Sequence, residues 1–407
     1  MPASKPVPTR SADEHLRAVL ELVATGEAPR GTERIPLGTA SDRVTAAEHL
    51  AASQSPPFNN SAMDGYAVRS ADLAHATSDA PVTLRVTGAS RAGHAAAAAL
   101  EAGCAIRIMT GAPIPAGANA VVAQELVVAL DDAASFQMPA PVGAHIRYGG
   151  EDVAVGDVVL GAGVLLKARH VAALASAGIA EVEVVSKPRV GFLVTGDELV
   201  APGGRLGPAQ IYDSNATYLR AALDALGAES INLGRCGDDP AAVRSIVEEA
   251  PVDVVVTTGG ASVGEHDPVK AGLAPVGVEF MTVAMQPGKP QGLGTVAGKA
   301  VICLPGNPVA VAVSVELFVG PAVRAMLGVA EPEWVSAVAG AEWTCPRGRE
   351  QFIPVTWDGR EVVPATSGGS GSHLAARLAT ANALARVTAA VDHVLPGDTV
   401  FVRRFYT

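Results

Sequence analysis

Aromatic residues are scarce in this chain, at 4% of 407 residues, and so is positive charge: 30 Lys and Arg face 41 Asp and Glu, a formal net charge of −11. The first shortage leaves few stacking platforms for single-stranded nucleic acid. The second argues against binding a phosphate backbone, which needs a basic face. Nucleic acid is therefore not an expected partner, and an anionic ligand must be held locally, by backbone amides, a few basic side chains or a metal. Cysteine is rare too. Cys104, Cys236, Cys303 and Cys345 lie far apart, with no CxxC and no His at ligand spacing, which argues against a disulfide framework or zinc site and for buried free thiols. No apolar run reaches the roughly 20 residues of a spanning helix, the longest being broken by Gly or Pro. The start, MPASKPVPTRSADEHLRAVL, has no apolar signal core. The expectation is a cytoplasmic chain without a membrane partner.

Apolar residues make up 49% and charged residues 17%, the balance of a folded protein too long for a single core. Ser11 to Glu14 has capping-box spacing, and Leu16, Val19, Leu20 and Val23 recur at helical intervals. From about Pro56 the texture becomes short β-like runs between turns, with Val82 to Val86, Ala105 to Met109 and Ala120 to Ala123 as strands. The stretch from His145 to about Lys187 carries GEDV, GDVVLGAGVLL and a helix from Ala168 to Ala177, and resembles the N-terminal stretch in texture. The expected division is a discontinuous N-terminal domain (1–52 and 145–187), an inserted β domain (53–144), a doubly wound α/β domain (188–328) and a C-terminal β domain (329–407).

Between Pro188 and Gly328, strands alternate with helices, the pattern of a mostly parallel sheet with helices on both faces. In such sheets ligands bind beyond the carboxyl ends of the strands. Four polar loops fall there: Thr195-Gly196-Asp197-Glu198, Gly237-Asp238-Asp239-Pro240, Thr258 to Asp267 (TGGASVGEHD), and Pro305-Gly306-Asn307-Pro308. Taken singly, Asn307-Pro308 reads as a capped helix start and Asp238 or Asp239 as a helix cap. Taken together on one sheet edge, they read as an anion site in which amide-rich turns approach a phosphate. Carboxylates beside an anion need a bridging cation, and Mg²⁺ between Asp238, Asp267 and phosphate oxygens meets that need. Two further motifs, Pro57 to Val68 and Arg107 to Pro113, read from the residues alone as hairpin chemistry, with Asp64-Gly65 as turn former.

In family order, PPFNNSAMDGYAVR, IRIMTGAPIPAGANAVVAQE, HIRYGGEDV, VTGDEL, IYDSNA, NLGRCGDDP, TTGGASVGEHD, QPGKP and LPGNPV span nearly the whole chain. Together they closely resemble the molybdopterin molybdenumtransferase family, the MoeA proteins and the gephyrin E domain. The resemblance implies four-domain subunits, with a molybdopterin-binding α/β domain and a C-terminal β-barrel-like domain, paired as homodimers whose site is shared by two subunits. It implies a transferase that inserts molybdate into adenylylated molybdopterin, releasing AMP in a Mg²⁺-dependent step. By motif, Asp64, Thr110, Glu198, Asp238 and Asp267 fall on functional positions, as does Ser372. Asp213, Ser214 and Asn215 lie near the substrate. Gly259, Gly260, Ser262, Lys289 and the loop Pro305-Gly306-Asn307 fall where the anionic substrate and molybdate are held. Implied partners extend to a molybdopterin adenylyltransferase and to apo-molybdoenzymes.

The chain departs from the family pattern at several places. Many members carry lysines where this chain has Thr282 and Gln286, a Ser at Ala310 and an Arg at the position aligned with Pro354. Fewer cations at an oxyanion site weaken its grip on the anion. They keep a second reading open, a specialised or impaired paralogue that carries molybdopterin or serves as a scaffold.

Overall fold

The computed structural model describes residues 9–25, 31–94, 96, 98–259, 267–365 and 375–406. The chain divides into two compact units, one of residues 1–33, 42–44 and 184–407, the other of 34–41 and 45–183.

The first unit is built on a seven-stranded sheet. Its strands are β1 (Thr9–Arg10), β2 (Arg189–Thr195), β3 (Glu229–Cys236), β4 (Val254–Thr258), β5 (Val278–Val283), β6 (Pro290–Val296) and β7 (Lys299–Leu304), in the order β1-β5-β6-β7-β4-β2-β3. Strands β3, β2, β4 and β7 run parallel, with Val190–Val194 facing Val254–Thr258 and Val254–Thr258 pairing in step with Ala300–Leu304. β6 and β7 form an antiparallel hairpin closed at Val296↔Lys299. A two-residue connection is too short for a parallel crossover, so the chain reverses there.

Helices follow from their caps and apolar stripes. α1 (Ala12–Ala24) begins with the expected capping box, Ser11 Oγ accepting from Glu14 N while Glu14 accepts from Ser11 N. The sequence division grouped this segment with 145–187, but α1 packs on the last helix of the α/β domain and belongs to the first unit. α2 (Ser214–Ala225), α3 (Pro240–Glu249) and α4 (Pro268–Leu273) start behind Asp213, Asp239 and Asp267, each accepting from backbone N–H groups of the first turn. Val243 and Val247 of α3 and Val269 and Leu273 of α4 cluster with Leu193, Val255, Val301 and Cys303 on one sheet face. Phe192 points to the other face, where Arg220 of α2 lies over its ring at 5.9 Å.

The final helix of the domain is α5 (Pro308–Ser314), a π-helical turn (Val315–Val319) and α6 (Gly320–Leu327). By length and composition these 20 residues could cross a membrane, although Glu316, Gly320-Pro321 and Arg324 break the apolar run. Most of them are buried within the protein, the signature of a core helix. The four cysteines are free and buried, as expected, and burial pushes the Cys303 thiol up to about 12, which leaves it protonated and inert.

Beyond Trp334, strands Val335–Ala339, Glu350–Trp357, Glu361–Pro364, Ala383–Val387 and Thr399–Arg404 form a sheet in which Glu350–Trp357 also pairs with Ala383–Val387. That pairing closes the expected small barrel. Met285–Gln286 adds to it in parallel, Gln286 opposite Gln351.

The second unit holds a six-stranded sheet ordered 120–123, 65–68, 104–108, 82–90, 133–136 and 127–129. Tyr66, Val68, Leu84, Ala105, Val122 and Phe136 fill one side, and Ile106, Ile108 and Val121 the other. Ala168–Ser176 is helical, with Gly178 at positive φ just past its end.

Candidate functional site

Because β2, β3, β4 and β7 are parallel, the four loops after them share one sheet edge. A cavity of about 650 Å³ opens among them. Glu198, Asp213, Ser214, Asn215, Asp238, Gly259, Lys289, Pro305, Gly306 and Asn307 all line it. Ten candidates separated by up to about a hundred residues in sequence are thus brought to one recess.

Close backbone packing shapes its floor. Gly259 has φ +84°, and a Cβ there would lie 2.6 Å from the Thr195 carbonyl and 2.7 Å from Thr195 Oγ1. Only glycine fits, because both the left-handed backbone and the missing side chain are needed. Gly306 lies against it, its Cβ position 3.2 Å from Gly259 Cα. Asn307 Oδ1 accepts from Val309 N at 3.1 Å and Ala310 N at 3.3 Å. Asn215 Nδ2 donates to the Gly306 carbonyl at 2.8 Å, and Asp213 Oδ1 accepts from Ala216 N at 3.0 Å. The segment from Gln286 to Pro290 makes another wall, with buried Gln291 donating to the Gly288 carbonyl at 2.8 Å and to Ser314 Oγ at 3.0 Å.

Charge in the cavity is uneven. Among the described lining residues, Glu198, Asp213 and Asp238 are acidic and Lys289 alone is basic. Of the two carboxylates expected to hold a metal, Asp238 is exposed and lines the cavity, while Asp267 is buried beside it in sequence to the lining residue Pro268. Asp267 Oδ1 accepts from Lys270 N at 3.0 Å and caps α4. Asp239, the other acid of that loop, caps α3. No group of three or more His, Cys, Asp or Glu suited to a metal occurs among the described residues. Mg²⁺ commonly takes only one or two carboxylates, with waters and substrate phosphates completing its shell, and of the expected pair Asp238 is the one that lines the cavity.

Asp64 and Thr110 lie in the other unit and are joined there. Asp64 Oδ1 accepts from Thr110 N at 2.6 Å and from Thr110 Oγ1 at 2.7 Å. These bonds, the backbone one first, hold the Asp64 carboxyl below the usual carboxylate range. Met63 and Met109, their chain neighbours, are exposed. Gly260, Ser262 and Ser372 lie outside the described residues.

The cavity separates the departures from the family pattern. Gln286 and Ala310 line it, whereas Thr282 and Pro354 do not. Thr282 sits in β5 between Thr9 and Pro290, and Pro354 faces Leu384 in the barrel. The sequence reading did not assign Leu199, Ile211 and Tyr212, which also line the cavity. Two half-exposed apolar residues, Ile211 and Tyr212, directly before a polar helix cap were the available signal.

Three family models match in order: the MoeA N-terminal region (domain I and II) over residues 10–178, a probable molybdopterin binding domain over 191–325, and the MoeA C-terminal region (domain IV) over 336–405. The chain is 40% identical over 404 residues to molybdopterin molybdenumtransferase 2 of Mycobacterium tuberculosis, covering 97% of this chain and 99% of that one. It is 38% identical to the molybdopterin molybdenumtransferase of Haemophilus influenzae, covering 93% and 95%. Among solved structures, the molybdopterin biosynthesis MoeA protein of Pyrococcus horikoshii OT3 superposes with a TM-score of 0.81 at 29% identity, covering 98% of this chain and 100% of that one. With all three regions in order and both chains covered almost end to end, the chain belongs to the MoeA family of molybdopterin molybdenumtransferases.

Proposed function

We propose that the chain inserts molybdate into adenylylated molybdopterin and releases AMP, in a step that requires Mg²⁺. The observation that carries this reading is the cavity, in which ten residues named from sequence line one recess at the carboxyl edge of four parallel strands. Close-packed Gly259 and Gly306 let the substrate's phosphates approach backbone amides. Lys289 attracts the oxyanion, and Asn215 and Asn307 keep the loop beneath it in place. Asp238, with Asp267, would hold Mg²⁺, which would supply neutralising charge at the phosphoanhydride. Among the described lining residues, three carboxylates against one ammonium leave a phosphate-bearing ligand in need of that cation.

Asp64 and Thr110 complete the site from a second copy of the chain, in a homodimer. The family resemblance supports this, as do exposed Met63, Met109 and Phe58 near them in sequence, since exposed apolar side chains around a functional group suit an interface. Molybdopterin adenylyltransferase as source of the substrate and apo-molybdoenzymes as recipients rest on the family resemblance alone. Purified protein given adenylylated molybdopterin, molybdate and Mg²⁺ is expected to release AMP and form active cofactor. Binding without AMP release would overturn the enzyme reading. The carrier reading draws its support from Gln286 and Ala310, which leave Lys289 the one cation among the described lining residues.

A further inference from the structure

Lys289 is the one basic residue among the described residues that line the cavity, so whatever sets its position bears on the whole site. It is exposed, and it stands where the turn after β5 enters β6, directly after buried Pro287 and Gly288. The backbone is held on both sides of it. The Lys289 carbonyl accepts from Val283 N at 2.7 Å, and the Gly288 carbonyl accepts from Gln291 Nε2 at 2.8 Å. The same Nε2 donates to Ser314 Oγ of α5 at 3.0 Å, so both amide hydrogens are used. Gly288 has φ +100°, and a Cβ there would lie 3.0 Å from Met285 Cε and 3.2 Å from Ser314 Oγ. The turn is thus seated against α5, whose first residues Pro308 and Ala310 also line the cavity.

Gln291 is an unexpected residue for its place. It lies in β6 opposite Met281 and is fully buried, whereas glutamine is mostly an exposed residue. An aliphatic side chain would fill the same space with no polar atom to satisfy. The Gln291 Oε1 is buried and finds no partner among the described residues, so the amide carries a desolvation cost that its two hydrogen bonds do not wholly offset. Fold stability gives no reason for such a group here, and the placement of the turn does. We infer that Gln291 is a positioning residue for Lys289, bracing the Gly288 carbonyl against α5 so that the ammonium is presented to the oxyanion in the cavity. The inference rests on the proposed function, in which Lys289 attracts that oxyanion, and it adds the residue through which the turn is held. With no second cation among the described lining residues, a displaced turn is not made good by a neighbour.

The test is calorimetric titration of the full chain with molybdate in Mg²⁺ buffer, run as a double-mutant cycle. Lys289→Ala is expected to weaken molybdate binding by about tenfold or more, the loss of a charge-assisted hydrogen bond. Gln291→Leu removes both donors while keeping an apolar side chain in the space, and is expected to weaken binding by about fivefold. In the Lys289→Ala background the same change is expected to cost less than about twofold, because the side chain it positions is gone. A residue that merely supports the fold would weaken binding equally in both backgrounds, and that result would overturn the inference. Unchanged binding in Gln291→Leu would overturn it as well. If Gln291→Leu does not fold, Ser314→Ala, which leaves the amide and removes its anchor on α5, takes its place in the cycle with the same expected pattern and the same overturning results. No molybdate binding by the unaltered protein, or unchanged binding in Lys289→Ala, overturns the proposed role of Lys289 and this inference together. A loss in Lys289→Ala without the expected pattern at Gln291 removes the inference alone.

Discussion

Asn215 Nδ2 donates to the Gly306 carbonyl at 2.8 Å, tying the first turn of α2 to the loop that opens α5. The two residues are 91 positions apart, and Asn215 is 7% exposed, so water does not readily replace the bond. Asn215→Ala leaves the carbonyl without this partner, at a cost of about 1–3 kcal/mol. The expected outcome is a lower melting temperature and weaker AMP binding. A variant that binds AMP as tightly as the parent would show that the tie does not shape the site.

The two floor glycines should differ in tolerance. Gly259→Ala sets a Cβ 2.6 Å from a backbone carbonyl at a φ that L residues rarely adopt. Gly306→Ala needs its neighbour to give only slightly, at 3.2 Å from Gly259 Cα. Gly259→Ala is expected to abolish ligand binding and destabilise the chain by about 1–3 kcal/mol, with Gly306→Ala the milder change. Equal effects in parallel melting and binding measurements would contradict this ranking.

Thr110→Val deletes the hydroxyl that donates to Asp64 at 2.7 Å and keeps the backbone donor at 2.6 Å. Both bonds favour the carboxylate, so removing one raises the Asp64 pKa toward its ordinary value. The carboxyl resonance of Asp64 should titrate at higher pH in the variant, and the acid limb of AMP release should move the same way. An unmoved carboxyl titration would refute the assignment.

Gln286 lines the cavity and Thr282 does not, so the two lysine replacements have different expected effects. A charge-assisted hydrogen bond contributes about 1.5–3 kcal/mol, so Gln286→Lys is expected to lower the KM for molybdate by about tenfold. Thr282→Lys is expected to do much less. Steady-state kinetics of both variants decide the matter, and a dominant effect at Thr282 would count against the cavity as the molybdate site.

Two buried groups, Glu316 within the π-helical turn and His15 packed on its Phe318, are shifted in opposite directions. Burial raises Glu316 to about 7 against an ordinary 4.5, opposed by Tyr406 N and Arg403 and reinforced by Glu331. Its folded-state pKa is raised, so the stability it contributes is present below about pH 4.5 and lost as pH rises through about 7. His15 is lowered from 6.5 to about 4 by burial, with Arg10 adding to it, and neither ring nitrogen has a hydrogen-bond partner. Its neutral form favours the fold, so this contribution is present above pH 6.5 and lost as pH falls toward 4. Glu316→Gln should remove a fall in melting temperature between pH 5 and pH 8. His15→Leu should raise the melting temperature, more at pH 5 than at pH 8. Parallel pH slopes in parent and variants would sink both assignments.

Much of the fold is visible in local sequence because its causes are local. The capping box at Ser11, the caps at Asp213, Asp239, Asp267 and Asn307, and the β-branched run of β4 each involve residues a few positions apart. Leu199 and Ile211 escaped assignment because they reach the cavity through a ladder that pairs residues twelve positions apart. His15 and Glu316 escaped for a related reason. Each is a polar residue on a helix, and nothing in its own turn says that α1 or the C-terminal segment will cover it.

Element types, the loops that carry glycine and carboxylate, and the MoeA family to which their order belongs are all legible in the residues alone. The sequence also bounded the ligand, since a chain of net charge −11 can hold an anion only at a locally built site. Tertiary structure decided which of those loops meet. The parallel registry of β2, β3, β4 and β7 sets their carboxyl ends side by side, and pairing across long separations is not encoded in any short window. It also decided that Gln286 faces the cavity while Thr282 does not, and that Asp267 caps a helix while Asp238 stands exposed. Such differences arise from packing against distant residues, which determines whether a side chain meets solvent, ligand or protein.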